Sequence, residues 1–115
     1  MAINTAVNAL TEQAAKAFVV LVRARYPVRS ALLFGSRARR DHRADSDADV
    51  AVVLRGEKGP FVDTKLDMAD LAYEVLLETG IHIQPLPLWE YEWTHPESHR
   101  NPRLLQNIAR DGIRL

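Results

Sequence analysis

A chain of 115 residues with 47% hydrophobic content can bury one core, and a single domain over residues 1–115 is the expectation. Fifteen basic side chains balance fifteen acidic ones, which argues against a nucleic-acid partner and against anchoring to an anionic membrane. There is no cysteine, no apolar run near the roughly 20 residues of a membrane helix and no signal pattern, so disulfides, thiolate metal sites and cysteine nucleophiles drop out and a cytoplasmic location is expected.

Ala6, Val7, Leu10, Ala14, Ala17, Phe18, Leu21 and Val22 recur at three- and four-residue steps, predicting an amphipathic helix over about residues 4–25 that Pro27 closes. Val28 to Phe34 reads as a strand buried on both faces and stopped by Gly35. Residues 37–45 hold four arginines, two aspartates and a histidine, a composition that fits only a solvated connection. Asp47 to Leu54 alternates acid with apolar before turning wholly apolar, which predicts a second strand ended by Gly56, Gly59 and Pro60.

Phe61 to Thr79 carries a helical apolar period, with Asp63 placed to cap its start and Gly80 to end it. Ile81-His82-Ile83-Gln84 alternates as a third strand, and Pro85 and Pro87 confine that strand to a sheet edge or mark its end. Asn101-Pro102 ahead of Leu104, Leu105 and Ile108 predicts a capped terminal helix finishing at Gly112.

Chemistry concentrates between the first two strands. A Gly35-Ser36 turn leaving a buried strand can offer backbone N–H groups to a phosphate, with Ser36 adding a hydroxyl and Arg37, Arg39, Arg40 and Arg43 adding positive charge. Read alone, it is equally an ordinary turn. Asp47 and Asp49 are two apart on a strand entry, so their carboxylates share a face and can share a divalent cation. Without the turn upstream they would read as solvent-facing strand-entry residues.

Together, Gly35-Ser36, the intervening connection and Ser46-Asp47-Ala48-Asp49-Val50 closely resemble the signature of the DNA polymerase beta-like nucleotidyltransferase superfamily, in its minimal (MNT) branch. The resemblance implies an α/β (α+β) fold, a small mixed β-sheet with helices packed on one side. It also implies that Gly35, Ser36 and Arg37 hold a nucleoside triphosphate, in the first instance ATP, and that Asp47 and Asp49 ligate Mg2+ as metal ligands and catalytic residues, with a two-metal site open. The implied reaction moves a nucleoside monophosphate to a hydroxyl acceptor, and the implied partner is an HEPN-type toxin neutralised by an MNT antitoxin. Arg40 departs from the glycine common in related sequences.

Active relatives carry a third carboxylate on the third strand. Here that strand offers His82 and Gln84 on one face, of which His82 can act as base or ligand and Gln84 can only position water or substrate. The alternative function is therefore a catalytically impaired module that binds nucleotide or a partner. Asp63, Asp67 and Asp70 fit a solvated helical face better than a docking face, and Trp89, Tyr91 and Trp93 divide between core closure and stacking on a base or partner. Pro96 between His95 and His99 argues against a shared metal. The aromatic tail and edge strand leave homo-oligomerisation open.

Overall fold

The computed structural model describes residues 2–39, 43 and 46–115, with side chains from residue 9 onward. The Arg40 departure lies outside the described residues.

Ala48–Leu54 (β2) is apolar at nearly every position, and because successive side chains point to opposite faces, both faces of this strand need cover. Val28–Phe34 (β1) pairs with it antiparallel on one side and Ile83–Trp89 (β3) pairs parallel on the other. A two-residue strand, Ile113–Arg114 (β4), lies antiparallel outside β1, so the order is β3-β2-β1-β4. Above one face sit the helices Ala2–Arg23 (α1) and Phe61–Thr79 (α3), where Phe18, Val22, Met68 and Val75 meet Ala31, Leu33, Val50 and Val52. Each such fully buried aliphatic or aromatic side chain contributes roughly 1.5–3 kcal/mol. The parallel pairing of β2 with β3 requires a crossover, and α3 is that crossover.

The expected mixed sheet with its long helices on one side is present. An addition lies opposite: Leu105 and Ile108 of Pro102–Asp111 (α5) close over Leu32, Ala51, Val53 and Leu88. β4 follows α5 directly and was not foreseen, since two residues carry no readable alternation.

Three local expectations change. Asp63 does not cap α3; Pro60 precedes the helix, and Thr64 Oγ1 in the first turn donates to the Pro60 carbonyl at 2.6 Å. β3 is the edge strand expected, but its bounds shift from Ile81–Gln84 to Ile83–Trp89. Ile81 and His82 lie ahead of it, and it runs on through Pro85 and Pro87, because only one side of an edge strand needs N–H donors and prolines two apart can both fall on the free side. Asp67 is a structural partner, accepting from Arg25 at 2.8 Å and from the Tyr26 hydroxyl at 2.7 Å, which fastens the end of α1 to α3. Trp89 is buried, Trp93 half-buried, and exposed Tyr91 stacks on His95 at 4.4 Å, so two of the three aromatics do serve the core.

Candidate active site

β1 ends by turning through Gly35, whose φ of 77° lies in the left-handed region that glycine adopts freely. The turn leads into a single helical turn, Ser36–Arg39 (α2), and the chain returns to β2 at Ala48. Cross-strand register puts Phe34, Asp49 and Gln84 side by side on the face that α5 partly covers. Asp49 and Gly35 are in intimate contact: a β-carbon built on Gly35 would fall on Asp49 Oδ2. The turn expected to cradle phosphate and the carboxylate expected to hold metal are therefore one place.

Asp47 stands one residue ahead of β2, and its Oδ1 lies 3.1 Å from Nδ1 of His82. The main chain supports this, with the Ala48 N–H donating to the His82 carbonyl at 2.9 Å. The two polar residues thus separate: Gln84 within β3 neighbours Asp49, and His82, one residue ahead of β3, neighbours Asp47.

Burial pushes the Asp49 carboxyl above the ordinary carboxylate range, the Asp47 charge pushes it further, and Arg39 opposes both. Among the described residues, no hydrogen bond or ion pair is made to the Asp49 carboxylate or to the Ser36 hydroxyl. A half-buried carboxylate beside a second carboxylate and without a donor is electrostatically suited to a cation.

Arg37 sits differently from the other arginines. It is buried, with Nε donating to the Ser46 carbonyl at 2.9 Å and Nη1 to Thr11 Oγ1 of α1 at 2.8 Å. Burial lowers its pKa, with the Asp47 charge opposing. Ser46 in turn accepts at Oγ from the Arg43 N–H at 2.9 Å. Arg37 thereby binds α2 and α1 to the residue that immediately precedes Asp47. Sequence reading counted Ser46 in the motif without giving it a role and missed Thr11 as part of the site; a threonine within an apolar helical stripe was the available signal.

Beside Gly35 a cleft of about 220 Å³ opens between α2 and α5, lined by Phe34, Ala38, Arg39, Leu104, Asn107 and Asp111 among others. A larger one of about 290 Å³ lies at the far end of β2, between Leu54, Pro60 and Trp89. Neither cleft is lined by Asp47 or Asp49, but the smaller one is walled by Gly35, which Asp49 touches, and by the charged Arg39 and Asp111, so it is the one adjoining the acidic pair. No cluster of three or more His, Cys, Asp or Glu residues suited to metal occurs among the described residues. Each of His95 and His99 has its Nδ1 engaged locally, His95 with Thr94 Oγ1 at 3.0 Å and His99 accepting from the Asn101 N–H at 2.9 Å. Asp47 and Asp49 still fit Mg2+, which is commonly held by one or two carboxylates with the remaining positions filled by water and substrate phosphates.

The family profile described as Polymerase beta, Nucleotidyltransferase matches residues 20–115, which include the whole of β1, the Gly35 turn, both aspartates and α5. The chain belongs to the polymerase beta nucleotidyltransferase family. Among solved structures, this nucleotidyltransferase is similar to a candidate nucleotidyltransferase of Sulfolobus solfataricus at 26% identity and a TM-score of 0.59, over 80% of this chain and 78% of that one. A search of curated proteins returned no match. The nucleotidyltransferase profile begins inside α1 and therefore excludes Thr11, the partner of Arg37. Among the described residues, no helix of the nucleotidyltransferase is long and apolar enough to cross a membrane.

Proposed function

We propose that this chain is a Mg2+-dependent member of the minimal branch that transfers a nucleoside monophosphate from a nucleoside triphosphate, ATP in the first instance, to a hydroxyl. The observation that carries the proposal is the contact between the Gly35 turn and the Asp49 carboxylate, with Asp47 close enough to raise the proton affinity of Asp49. Gly35 and Ser36 would receive phosphate oxygens through backbone N–H and hydroxyl donors. Mg2+, held by Asp47 and Asp49, would neutralise the phosphate charge that builds up as the bond breaks. The acceptor oxygen forms a bond to the α-phosphorus, the bond to the bridging oxygen breaks, and pyrophosphate leaves with that electron pair. The cleft between α2 and α5 gives the nucleoside a partly apolar wall in Phe34 and Leu104 and polar groups in Asn107 and Arg39.

Loss of the hydroxyl proton is the weak step. Gln84 occupies the position beside Asp49, and a carboxamide has no basic oxygen with which to take a proton. This supports a second reading, a module that binds nucleotide and docks on a partner with little turnover. By the resemblance of its motif, that partner, and under the first reading also the hydroxyl acceptor, would be an HEPN-type toxin in the cytoplasm.

The test is transfer of an α-labelled nucleotide to a co-expressed toxin, alongside calorimetry with ATP and Mg2+. Label transfer lost in both Asp47→Asn and Asp49→Asn supports the enzyme. Tight nucleotide and toxin binding without transfer supports the module, and nucleotide binding indifferent to both substitutions refutes the site.

A further inference from the structure

The core requires only one face of α3, yet α3 is apolar on two. Thr64, Met68, Leu71, Ala72 and Val75 face the sheet and are buried. On the opposite side Val62, Leu66, Tyr73 and Leu77 form a second stripe, completed by exposed Ala69, and these four large residues remain between 58% and 69% exposed. Their spacing of four, seven and four residues keeps them within one narrow arc over about 22 Å of helix. A surface helix of a self-sufficient domain is ordinarily polar there.

One border of the stripe is acidic. Asp63, Asp70, Glu74 and Glu78 lie along it, and none has a basic partner among the described residues. Glu74 and Glu78 also line the groove between α3 and α1, together with Ala17, Val20 and Leu21, and Val20 is itself 67% exposed. The other border of the stripe contributes one charge, Lys65.

We infer that the outer face of α3 docks a helix of a different protein, apolar along its contact line and carrying lysine or arginine on the flank that meets Glu74 and Glu78. Charge selects against a second copy of this chain. Two α3 helices related antiparallel by a two-fold axis place like flank against like flank, carboxylates facing carboxylates. Related in parallel, they offer four unpaired acids a single lysine. A basic, apolar helix satisfies both the stripe and its border, in the manner of helix-in-groove recognition.

The probe is a set of three labelled synthetic helices, each about twenty residues long. The first has a leucine stripe with a lysine and arginine flank, the second the same stripe with a glutamate flank, and the third the basic flank with leucines replaced by glutamine. Each is titrated with the full chain at low and high salt, and the chain's own association is followed by sedimentation. Binding by the first peptide alone is expected, weakened roughly tenfold or more by Leu66→Ser with Leu77→Ser and, at low salt, by Glu74→Gln with Glu78→Gln. Asp49→Asn should leave it unchanged, which separates this surface from the nucleotide site. All four helix positions are exposed, so the variants should fold as the parent does. Binding indifferent to the peptide flank, binding unaffected by the leucine replacements, or a dimer of the chain abolished by Leu77→Ser would each overturn the inference.

Discussion

Gly35 and Asp49 occupy one another's space: the carboxylate of the second strand fills the volume that any side chain at the turn would need. Two independent demands thus fall on position 35, a φ of 77° and the absence of a β-carbon. Gly35→Ala should lose roughly 1–2 kcal/mol of stability, part from the left-handed backbone and part from displacing Asp49. The two parts separate in a double-mutant cycle. With Asp49→Ala the nearest remaining atom would be its Cβ at 3.5 Å, an ordinary contact, so Gly35→Ala should cost about 1 kcal/mol in that background, the backbone part alone. Urea unfolding of the four proteins checks this, and strictly additive effects would show that the contact carries no energy.

The raised pKa of Asp49 makes the site a source of instability at neutral pH. A carboxyl whose folded pKa exceeds its unfolded value favours the fold while protonated, and that contribution disappears as pH rises through the folded pKa. Asp49→Asn should therefore raise the melting temperature at pH 7, and the gain should shrink as pH falls through the raised folded pKa and be gone below the ordinary carboxylate range. Mg2+ with nucleotide should stabilise the parent and fail to stabilise the variant. A melting-temperature difference independent of pH would contradict the electrostatic origin.

The sheet, both long helices and the acidic pair were legible because each rests on a repeated signal: the period of α1 and α3, the apolar continuity of β2, and the spacing of Asp47 from Asp49. Arg37 was not, because its composition suggests solvent and phosphate whereas its burial depends on Thr11, a residue 26 positions earlier. Gln84 and His82 could be assigned to one face but not to different carboxylates, since that depends on the register between parallel strands joined by a long crossover. The second stripe of α3 was hidden for a related reason, as apolar residues on two sides of a helix blur a single period.

Tyr26 offers a spectroscopic check on how α1 is tied to α3. Burial first, then the hydrogen bond to Asp67 and its charge, push the phenol up to about 12. Between about pH 10 and the folded value the unfolded phenol ionises while the folded one does not, so the chain should lose stability over that window. Asp67→Ala should bring the ultraviolet titration of Tyr26 back towards the ordinary tyrosine value. An unchanged titration midpoint would mean that the hydrogen bond does not persist in solution.

Arg37 tests whether Asp47 is placed by the clasp behind it. Arg37→Met removes the donors to the Thr11 hydroxyl and the Ser46 carbonyl, which should cost about 1–3 kcal/mol. Arg37→Lys keeps the charge but cannot reproduce two divergent donors on a planar group. If the clasp positions Asp47, the lysine variant should keep most of the stability and still bind Mg2+ and nucleotide several-fold more weakly. Thr11→Val, which removes one contact of the pair, should fall between parent and lysine variant in nucleotide affinity. Equal nucleotide affinity in parent and lysine variant would leave Arg37 with a role in stability alone.

Gln84 decides between enzyme and binding module. It lies in register with Asp49 on the same face, so Gln84→Asp would introduce a carboxylate beside the existing pair without altering the strand. That group can accept the hydroxyl proton as the acceptor attacks, and general-base assistance is typically worth about 10²–10⁴-fold, so transfer should rise by roughly tenfold or more. The same charge should raise the proton affinity of Asp49 further and lower the melting temperature in the absence of Mg2+, with Mg2+ and nucleotide restoring it. His82→Ala, which removes the contact to Asp47, should alter transfer by less than Gln84→Asp does. Should Gln84→Asp gain the Mg2+-dependent stabilisation but no transfer, proton removal is not what limits this chain, and the docking role becomes the better account of its site.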